Sequence, residues 1–526
     1  MVKARAGTVY LVGAGPGDPE LVTVRGRDLL READAILHDE LAPRALLALA
    51  RPGALVEYVG KRGREPAAKQ LRQSAIDERL VELAREGKSV VRLKGGDPYL
   101  FGRGSEEAEA LAAAGVRFEV VPGVTSAVGA SAYAGVSLTH RDFASSVVFV
   151  SATTRKGAPF DFRELAGVRG SLAIFMGLGK VASIAESLIR DAGRPAETPV
   201  MIVSGGTRPD QLVVEGTLAD IAERAAHAPL FSPALVVVGE VVRLRSALAW
   251  FDRQPLFGKR VLVTRAAHQA EGVTSDLLRR GAQPIELPLI EFGPPPDPGL
   301  VTEAVNRLST YDLVAFTSEN GVDRFFEAIS SAGRDARAFG RATVAAIGDG
   351  TARALARHGV RADLVPTAFH GDALAAAVLE RLQRDRGGAA AGARVLIPRA
   401  LVAREALPGA LAAAGCTVEV VPVYETRRAS RERADELREW LGRGAAVDVV
   451  LLTSSSIADA LVDLLGGDLS AQTSLASVTL ASIGHITTET ARRHGLNVAV
   501  TATTSTMDGL LDALESHYLS RNRSSG

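Results

Sequence analysis

The fold of the first half is decided by residues 90–98 (VVRLKGGDP), a short apolar run that ends in a turn of paired glycines, an aspartate and a proline. Two other stretches have the same design, residues 9–19 (VYLVGAGPGDP) before it and residues 120–126 (VVPGVTS) after it. Apolar runs this short, without alternation, predict strands that are buried on both faces of a parallel sheet. The amphipathic stretch at 76–86 predicts a connecting helix. We therefore predict an α/β fold with largely parallel strands.

Composition excludes several classes of protein. The chain has 526 residues, and its 61 lysines and arginines balance its 61 aspartates and glutamates, so no net positive charge is available to attract nucleic acid or an anionic membrane. With one cysteine, Cys416, and scattered histidines, neither a disulfide nor a metal site is expected. No apolar run reaches the length of a signal peptide or a membrane span. We therefore expect a cytoplasmic protein of several domains, without nucleic-acid or membrane partners.

A break at residues 250–258 (WFDRQPLFG) precedes a new apolar run at 261–263 and predicts a domain boundary. Past this boundary the sequence contains two copies of one pattern. The repeated positions, two pairs 136 residues apart and one pair 134 apart, are Ser318 with Ser454, Thr351 with Thr487, and Arg265 with Arg399. Two copies are too few for a solenoid, so they predict two α/β lobes with a ligand cleft between them. Proline-flanked strands at 285–291 and 418–425 are predicted to connect the lobes.

The first glycine turn, residues 13–18 (GAGPGD), has two interpretations. The dinucleotide-binding pattern G-x-G-x-x-G needs glycine at its sixth position, where this chain has Asp18. In that interpretation Asp39 would bind a ribose, and otherwise it is a turn residue at the end of a strand. The departure at Asp18 disfavours a dinucleotide site. Turns at the carboxyl ends of neighbouring strands still predict one ligand crevice, in which Asp97 can accept hydrogen bonds and Thr125 is either a ligand contact or a helix cap.

Four motifs taken together resemble the uroporphyrinogen-III C-methyltransferase family. They are residues 9–19, 90–104 (VVRLKGGDPYLFGRG), 120–126 and 138–142 (LTHRD), and they follow the family's order over about 240 residues. The resemblance implies a two-lobed tetrapyrrole methylase fold, that of the class III methyltransferases, with S-adenosylmethionine (SAM) in a cleft. It also implies the transfer of two methyl groups from SAM to uroporphyrinogen III, giving precorrin-2 for sirohaem or cobalamin synthesis.

The same resemblance implies roles for individual residues. Its SAM-binding residues are Pro16, Gly95, Gly96, Asp97, Leu100, Thr125, Ser126, Met176, Gly206 and Ala234. Its catalytic acid and base fall on Lys61 and Asp39, with Asp39 the better candidate for the base. Its candidates for binding substrate carboxylates are Arg62, Arg103 and Arg141. Each arginine is alternatively a solvated surface residue. The loop at 63–70 departs from the family pattern on the tetrapyrrole side of the site.

The second half, from residue 258 to about residue 519, resembles uroporphyrinogen-III synthase, with residues 422–426 (PVYET) as a supporting motif. The resemblance implies a pair of flavodoxin-like α/β lobes that cyclise hydroxymethylbilane, inverting the last pyrrole ring, without a cofactor. It makes Tyr424 a candidate proton donor to the leaving hydroxyl. The hydroxyl residues that would hold substrate carboxylates are Ser318, Thr351, Ser454 and Thr487. Each of them is alternatively a helix cap.

Because both resemblances fall on consecutive reactions, they predict a bifunctional enzyme of tetrapyrrole biosynthesis. The predicted units are a methyltransferase at 1–250, a linker at 251–257, a synthase at 258–520 with lobe 1 at about 258–290 and 427–520 and lobe 2 at about 291–426, and a disordered tail at 521–526. The expected partners are small tetrapyrroles, and a homodimer through the methyltransferase half is one possible assembly. The alternative is a SAM methyltransferase of another substrate, fused to a non-catalytic two-lobed ligand-binding module.

Overall fold

The computed structural model describes residues 4–60, 73–153, 158–265, 267–367, 371–403, 405–442 and 447–524. In these ranges the strands form four sheets of five strands each, two in each half of the chain, and helices connect them. The prediction of an α/β protein is therefore confirmed. Within the same ranges, no helix has both the length and the hydropathy that crossing a bilayer requires.

The first sheet is built from the glycine-turn segments. Its strands and helices are β1 (Thr8–Gly13), α1 (Val24–Glu32), β2 (Ala35–His38), α2 (Arg44–Leu47), β3 (Leu55–Tyr58), α3 (Gln73–Arg85), β4 (Val90–Lys94), α4 (Gly104–Ala113), β5 (Arg117–Val121) and α5 (Ser126–Tyr133). The strand order is β3-β2-β4-β1-β5, with every described pair of neighbours parallel. All residues of β1 and β4 are buried, as their apolar runs predict. Because β1, β4 and β5 are adjacent, their glycine turns meet at one edge.

The second sheet departs from the prediction. Its elements are β6 (Val147–Ser151), β7 (Ser171–Phe175), α6 (Val181–Arg190), β8 (Pro199–Ser204), β9 (Leu212–Thr217), α7 (Ile221–His227), β10 (Ala234–Val238) and α8 (Arg245–Leu248). In the order β6-β7-β10-β8-β9, the only parallel pair among the described strands is β6 with β7. The prediction of largely parallel strands is wrong here. A central strand covered on both faces is apolar along its length in either direction, so the apolar run of β10 does not specify its direction.

The second half forms two sheets, with the orders β12-β11-β18-β19-β20 and β13-β17-β16-β14-β15. Its elements are β11 (Arg260–Val263), α9 (Ala267–Arg279), β12 (Gln283–Glu286), β13 (Ile290–Gly293), α10 (Pro298–Asn306), β14 (Leu313–Phe316), α11 (Glu319–Ser331), β15 (Thr343–Ala346), α12 (Asp349–Arg357), α13 (Gly371–Asp385), β16 (Arg394–Ala400), α14 (Ala406–Ala413), β17 (Thr417–Arg428), α15 (Arg431–Gly442), β18 (Val449–Leu452), α16 (Ser455–Leu464), α17 (Asp468–Ser474), β19 (Thr479–Ser482), α18 (His485–Arg493), β20 (Val498–Thr501) and α19 (Met507–Ser524). The chain enters the second of these sheets through β13 and leaves it through β17, and the two strands are antiparallel neighbours. The first connecting strand therefore lies later in the chain than the predicted 285–291.

The segment between the halves is packed rather than loose. Phe251 and Leu256 are buried, so the predicted linker at 251–257 belongs to the folded structure because its apolar side chains are removed from water. At the other end, α19 continues to Ser524, past the predicted start of a disordered tail at residue 521. Once a helix is established, each further residue adds a hydrogen bond, so a polar sequence without an apolar pattern can extend it.

Candidate active sites

The three glycine turns meet at the carboxyl edge of the first sheet. Ala14 N donates a hydrogen bond to Lys94 O at 2.7 Å. Gly96 N donates to Gly15 O, also at 2.7 Å. A Cβ atom placed on Gly123 would lie 2.3 Å from Gly96 O, closer than any side chain tolerates. Glycine is therefore required where the turns touch, and the turns together form one backbone floor.

The Asp97 carboxylate joins two of these turns. Its Oδ1 accepts hydrogen bonds from Tyr99 N at 2.8 Å and from Leu100 N at 3.2 Å. Its Oδ2 accepts from Gly123 N at 3.0 Å. We expected Asp97 to bind a ligand, and the structure adds that both its oxygens already hold backbone groups in place. Oδ2 accepts one of these hydrogen bonds and has a second lone pair, which leaves Asp97 able to accept a further hydrogen bond.

Helix α5 gathers candidate residues from distant parts of the chain. Thr125 precedes its first residue, Ser126, and within the described structure the Thr125 side chain makes no cap hydrogen bond. Thr125 therefore occupies the N-cap position of α5, but its hydroxyl does not cap the helix. A Cβ atom on Gly129 would lie 2.5 Å from Pro16 Cγ, and one on Gly206 would lie 2.3 Å from a side-chain carbon of α5. Pro16 and Gly206, far apart in sequence, thus both pack on this helix.

Large exposed side chains lie beside these turns. Met176 is 55% exposed, and Phe101 is exposed while its ring packs 4.8 Å from the ring of Phe175, at the end of β7. Ala234 pairs with Ser204 at the start of the turn that carries Gly206. The non-glycine residues with positive φ in the described ranges are Phe101, Arg103, Met176 and Thr207. Such conformations cost energy and recur at functional sites, so their concentration in this half supports a binding cleft here.

The remaining predicted residues of the first half contribute less. Arg103 and Arg141 are exposed, so their alternative as solvated surface residues stands. Lys61, Arg62 and the loop at 63–70 lie outside the described residues.

Asp39 follows β2 at the same sheet edge and belongs to an ionic network. Its Oδ1 accepts from Leu41 N at 3.1 Å, as a turn residue would, and its Oδ2 accepts from Arg92 Nη2 at 3.1 Å. Arg92 Nε donates to Glu107 Oε1 at 3.2 Å, and Lys94 Nζ donates to both Glu107 oxygens at 2.9 Å. Among the described residues, the network thus balances two cations with two carboxylates. It leaves 25% of the Asp39 side chain exposed.

Arg92, Lys94 and Glu107 are candidates that we did not predict. Glu107 is fully buried, and burial lowers the pKa of Lys94. The signal was present in the sequence, because Arg92 and Lys94 are two positions apart in a buried strand and therefore lie on one face of it. Buried cations need acidic partners, and Glu107 lies on the next helix, α4.

Tyr424 is the centre of the candidate site in the second half. It lies in β17 and is 5% exposed, and its hydroxyl lies 3.3 Å from Ser318 Oγ. The ring of Phe292 packs edge-on against it at 5.2 Å. Burial raises the pKa of the Tyr424 hydroxyl. The hydroxyl therefore stays protonated at neutral pH and is able to donate its proton.

Ser318 and Ser454 occupy matched positions at the starts of α11 and α16. Ser318 Oγ accepts from Gly321 N at 3.0 Å, and Ser454 Oγ accepts from Ile457 N at 3.2 Å. The helix-cap interpretation therefore describes both. Ser318 differs from Ser454 in its contact with Tyr424.

Thr351 and Thr487 are buried in the first turns of α12 and α18. The alternative that they are helix caps is wrong, because the caps are Gly348 and Gly484. Glycine offers no side-chain acceptor, so the first-turn N–H groups of these helices can receive other acceptors. A helix start of this kind suits a carboxylate.

Two arginines at repeat-related positions were not among the predicted site residues. Arg265 follows β11, and burial lowers its pKa. Arg399 lies near the end of β16, is buried, and pairs with Glu405. The offset of 134 positions that relates Arg265 to Arg399 is the signal that identifies them. Their guanidinium groups are suited to carboxylate recognition.

Comparison with known proteins finds a family model for each half and a relative that matches nearly the whole chain. The family model of tetrapyrrole (corrin/porphyrin) methylases matches residues 8–222, and that of uroporphyrinogen-III synthase HemD matches residues 272–512. The porphyrin biosynthesis protein HemD of Ruminiclostridium josui is 34% identical over 510 residues, 97% of each chain. Siroheme synthase 1 of Serratia proteamaculans is 49% identical over 269 residues, which are 51% of this chain and 52% of that protein. A crystal structure of uroporphyrin-III C-methyltransferase from Thermus thermophilus, complexed with S-adenyl homocysteine, has 42% identity and a TM-score of 0.40, covering 45% of this chain and 99% of that one.

Proposed function

Because the chain belongs to the tetrapyrrole methylase family in its first half and to the uroporphyrinogen-III synthase family in its second, we propose that it cyclises hydroxymethylbilane to uroporphyrinogen III and then methylates that product twice, giving precorrin-2. The chain is a bifunctional enzyme of tetrapyrrole biosynthesis. We place the methyltransferase at 1–250 and the synthase at 258–520, joined at 251–257. The observation that carries the proposal is the match of one chain to two families, the tetrapyrrole methylases at 8–222 and uroporphyrinogen-III synthase at 272–512.

SAM is the proposed methyl donor, and the residues of the first cleft fit it. The backbone floor of the glycine turns, the Thr125 hydroxyl and the Asp97 carboxylate offer hydrogen-bonding groups, while exposed Met176 and Phe101 offer apolar contact. The residues that would hold SAM are Pro16, Gly95, Gly96, Asp97, Leu100, Thr125, Ser126, Met176, Gly206 and Ala234. When bound, SAM supplies a methyl group on a positively charged sulfur.

Asp39 is the proposed proton acceptor of the methylation. When a pyrrole carbon takes the methyl group from the sulfonium sulfur, the ring becomes positively charged and must lose a proton from a ring N–H or a bridging CH2 group, and a carboxylate beside it can accept that proton. Arg92 holds one Asp39 oxygen at 3.1 Å, and Leu41 N holds the other at 3.1 Å, so the group is positioned before substrate arrives. Positioning is the larger part of the task, since the attack itself needs alignment and the exclusion of water.

Tyr424 is the proposed proton donor of the cyclisation. Loss of the hydroxyl from hydroxymethylbilane is easier when that oxygen receives a proton, and the buried Tyr424 O–H is able to supply one. The glycine-capped starts of α12 and α18, with Thr351 and Thr487, would hold substrate carboxylates, as would Ser318, Ser454, Arg265 and Arg399. The linear tetrapyrrole also closes without help, so the enzyme's task is to hold the geometry that gives the inverted ring.

The test is to supply the purified chain with hydroxymethylbilane, with and without SAM, and to follow the isomer and the mass of the product. We expect the type III isomer alone without SAM, and the same ring carrying two added methyl groups with SAM. If only the spontaneous type I ring forms, the synthase assignment is wrong. If type III product gains no methyl group, the first half acts on another substrate.

A further inference from the structure

The segment that joins the two halves is attached to the end of α5, the helix on which Pro16 and Gly206 pack. We call residues 245–258 the joint; it comprises the last residues of the methyltransferase unit, the linker at 251–257 and the first residue of the synthase unit. Trp250 Nε1 donates a hydrogen bond to Ala132 O at 3.0 Å. Arg245 Nη1 donates to Ala134 O at 2.6 Å. Both carbonyls lie at the carboxyl end of α5, so side chains of the joint hold that end of the helix.

Close packing strengthens the attachment. A Cβ atom on Gly135 would lie 2.5 Å from Ala249 N, so glycine is needed for the joint to reach the helix end. The ring of Tyr133, the last residue of α5, meets Trp250 at 5.0 Å and Phe251 at 4.8 Å, both edge-on. Aromatic contacts of this geometry stabilise the packing beyond what the burial of their surface contributes.

The same helix end is bonded to two turns of the candidate SAM site. Tyr133 OH donates a hydrogen bond to Asp18 Oδ2 at 2.6 Å, and Asp18 N donates one to Thr207 Oγ1 at 2.9 Å. Burial, and then the hydrogen bond to Asp18, raise the pKa of the Tyr133 hydroxyl, so this bond persists at neutral pH. Asp18 lies in the turn that carries Pro16, and Thr207 follows Gly206. A shift of α5 would therefore move both turns.

The joint also contacts the second half. Gly258 N donates to Gly281 O at 2.9 Å, and a Cβ atom on Gly281 would lie 3.2 Å from Phe257. Arg279, at the end of α9, pairs with Glu20 at 3.1 Å, just after the first glycine turn. The end of α9, the joint and the candidate SAM site are thus in continuous contact.

We propose that Trp250 and Arg245 are positioning residues for the methyl-donor site. By holding the end of α5, they fix the spacing of the turns that contain Pro16 and Gly206, and so set the affinity for SAM without touching the reacting atoms. The inference rests on the proposed function of the first half. It gives the joint a task beyond connecting two domains.

The test compares the full chain with Trp250→Ala and Trp250→Phe. Binding of S-adenosylhomocysteine is measured by calorimetry, and the KM for SAM and kcat are measured with uroporphyrinogen III. We expect Trp250→Ala to weaken binding and to raise KM about fivefold, the effect of losing one hydrogen bond and its packing, while kcat stays within about twofold. Trp250→Phe keeps a ring without the N–H and should lie between Trp250→Ala and the wild type. Leu248→Ala, an exposed side chain of the same segment, is the matched control and should match the wild type.

Two outcomes overturn the inference while leaving the methyltransferase assignment intact. One is an unchanged affinity in Trp250→Ala, even with a lower melting temperature. The other is an equal loss in Leu248→Ala. If Trp250→Ala does not fold, the test depends on Trp250→Phe alone. An affinity of Trp250→Phe for S-adenosylhomocysteine equal to that of the wild type would then contradict the inference. A wild-type chain that binds no S-adenosylhomocysteine would remove both the proposed function and this inference.

Discussion

Asp39 and Tyr424, the proposed proton acceptor and proton donor of the two halves, lie in opposite surroundings. Asp39 is held by the buried cation Arg92, which in turn bonds to Glu107. Tyr424 lies against the ring of Phe292 and the hydroxyl of Ser318, and burial raises the pKa of its own hydroxyl. The proposed base must accept a proton at the same pH at which the proposed acid donates one, and the two groups have charged neighbours in one half and uncharged neighbours in the other. Substitutions that remove charge should therefore affect the first half, and those that remove a hydroxyl the second.

The largest expected effect is that of Asp39→Asn. An amide cannot take up the proton, so kcat for methylation should fall about 1,000-fold while cyclisation is unchanged. Asp34→Asn is the matched control, since Asp34 precedes β2 as Asp39 follows it and accepts from Ser89 N at 2.8 Å. That control should lower stability without slowing methylation. A methylation rate for Asp39→Asn within tenfold of the wild type would mean that another group accepts the proton. The contrast between Asp39 and Tyr424 would then no longer hold.

Glu107→Gln should mainly affect stability. It removes the carboxylate that both Arg92 and Lys94 bond to. Because Asp39 still pairs with Arg92, one buried positive charge is left uncompensated, and the free energy of unfolding should fall by about 3–5 kcal/mol. Urea denaturation followed by fluorescence measures this. Glu109→Gln, on an exposed position of the same helix, should change it by less than about 0.5 kcal/mol. Equal effects of the two substitutions would mean that the network contributes nothing specific.

Tyr424→Phe should slow enzymatic cyclisation about 100-fold and raise the share of type I product, because the leaving hydroxyl loses its proton donor. Methylation of supplied uroporphyrinogen III should not change. Tyr311→Phe is the control in the same half, because Tyr311 is also buried and its hydroxyl donates to Glu419 at 2.6 Å. Unchanged cyclisation in Tyr424→Phe would exclude Tyr424 as the donor while leaving the synthase fold in place.

The smallest expected effect is that of His494→Gln, which tests a charged contact in the second half rather than the hydroxyl of Tyr424. Hydrogen bonds from His494 to Asp459 at 2.9 Å and to Asp468 at 2.7 Å raise the pKa of His494. Because the pKa of His494 is higher in the folded state, the protonated imidazole contributes its full stabilisation of the fold below the ordinary pKa of about 6.5. That stabilisation is lost as the pH rises through the pKa of the folded state. His494→Gln should therefore lower the melting temperature by less than about 2 °C at pH 6 and not at all at pH 9. A larger loss of melting temperature at pH 9 than at pH 6 would contradict the assignment of a positive charge to His494.

Much of the fold and part of each site could be predicted from local pattern. The glycine turns follow β1, β4 and β5 as expected, and the repeat marks matched helices in the second half. The direction of β10 and the glycine caps before Thr351 and Thr487 could not be predicted, since an apolar run reports burial without direction and a hydroxyl near a helix start does not reveal which residue is the cap.

Periodicity and turn composition were thus enough to predict strands, helices and two halves, and the resemblance of the motifs predicted both families, which the family models confirm. Contacts between residues far apart in the chain were decided only by folding: Pro16 and Gly206 packed on α5, Glu107 placed between Arg92 and Lys94, and Trp250 bonded to the end of α5. Burial of apolar surface is non-directional, so its pattern predicts which residues leave water but not which neighbours they meet. Hydrogen bonds and ion pairs need donor–acceptor distances that are correct to within a few tenths of an ångström. Such distances are set only once the chain is packed.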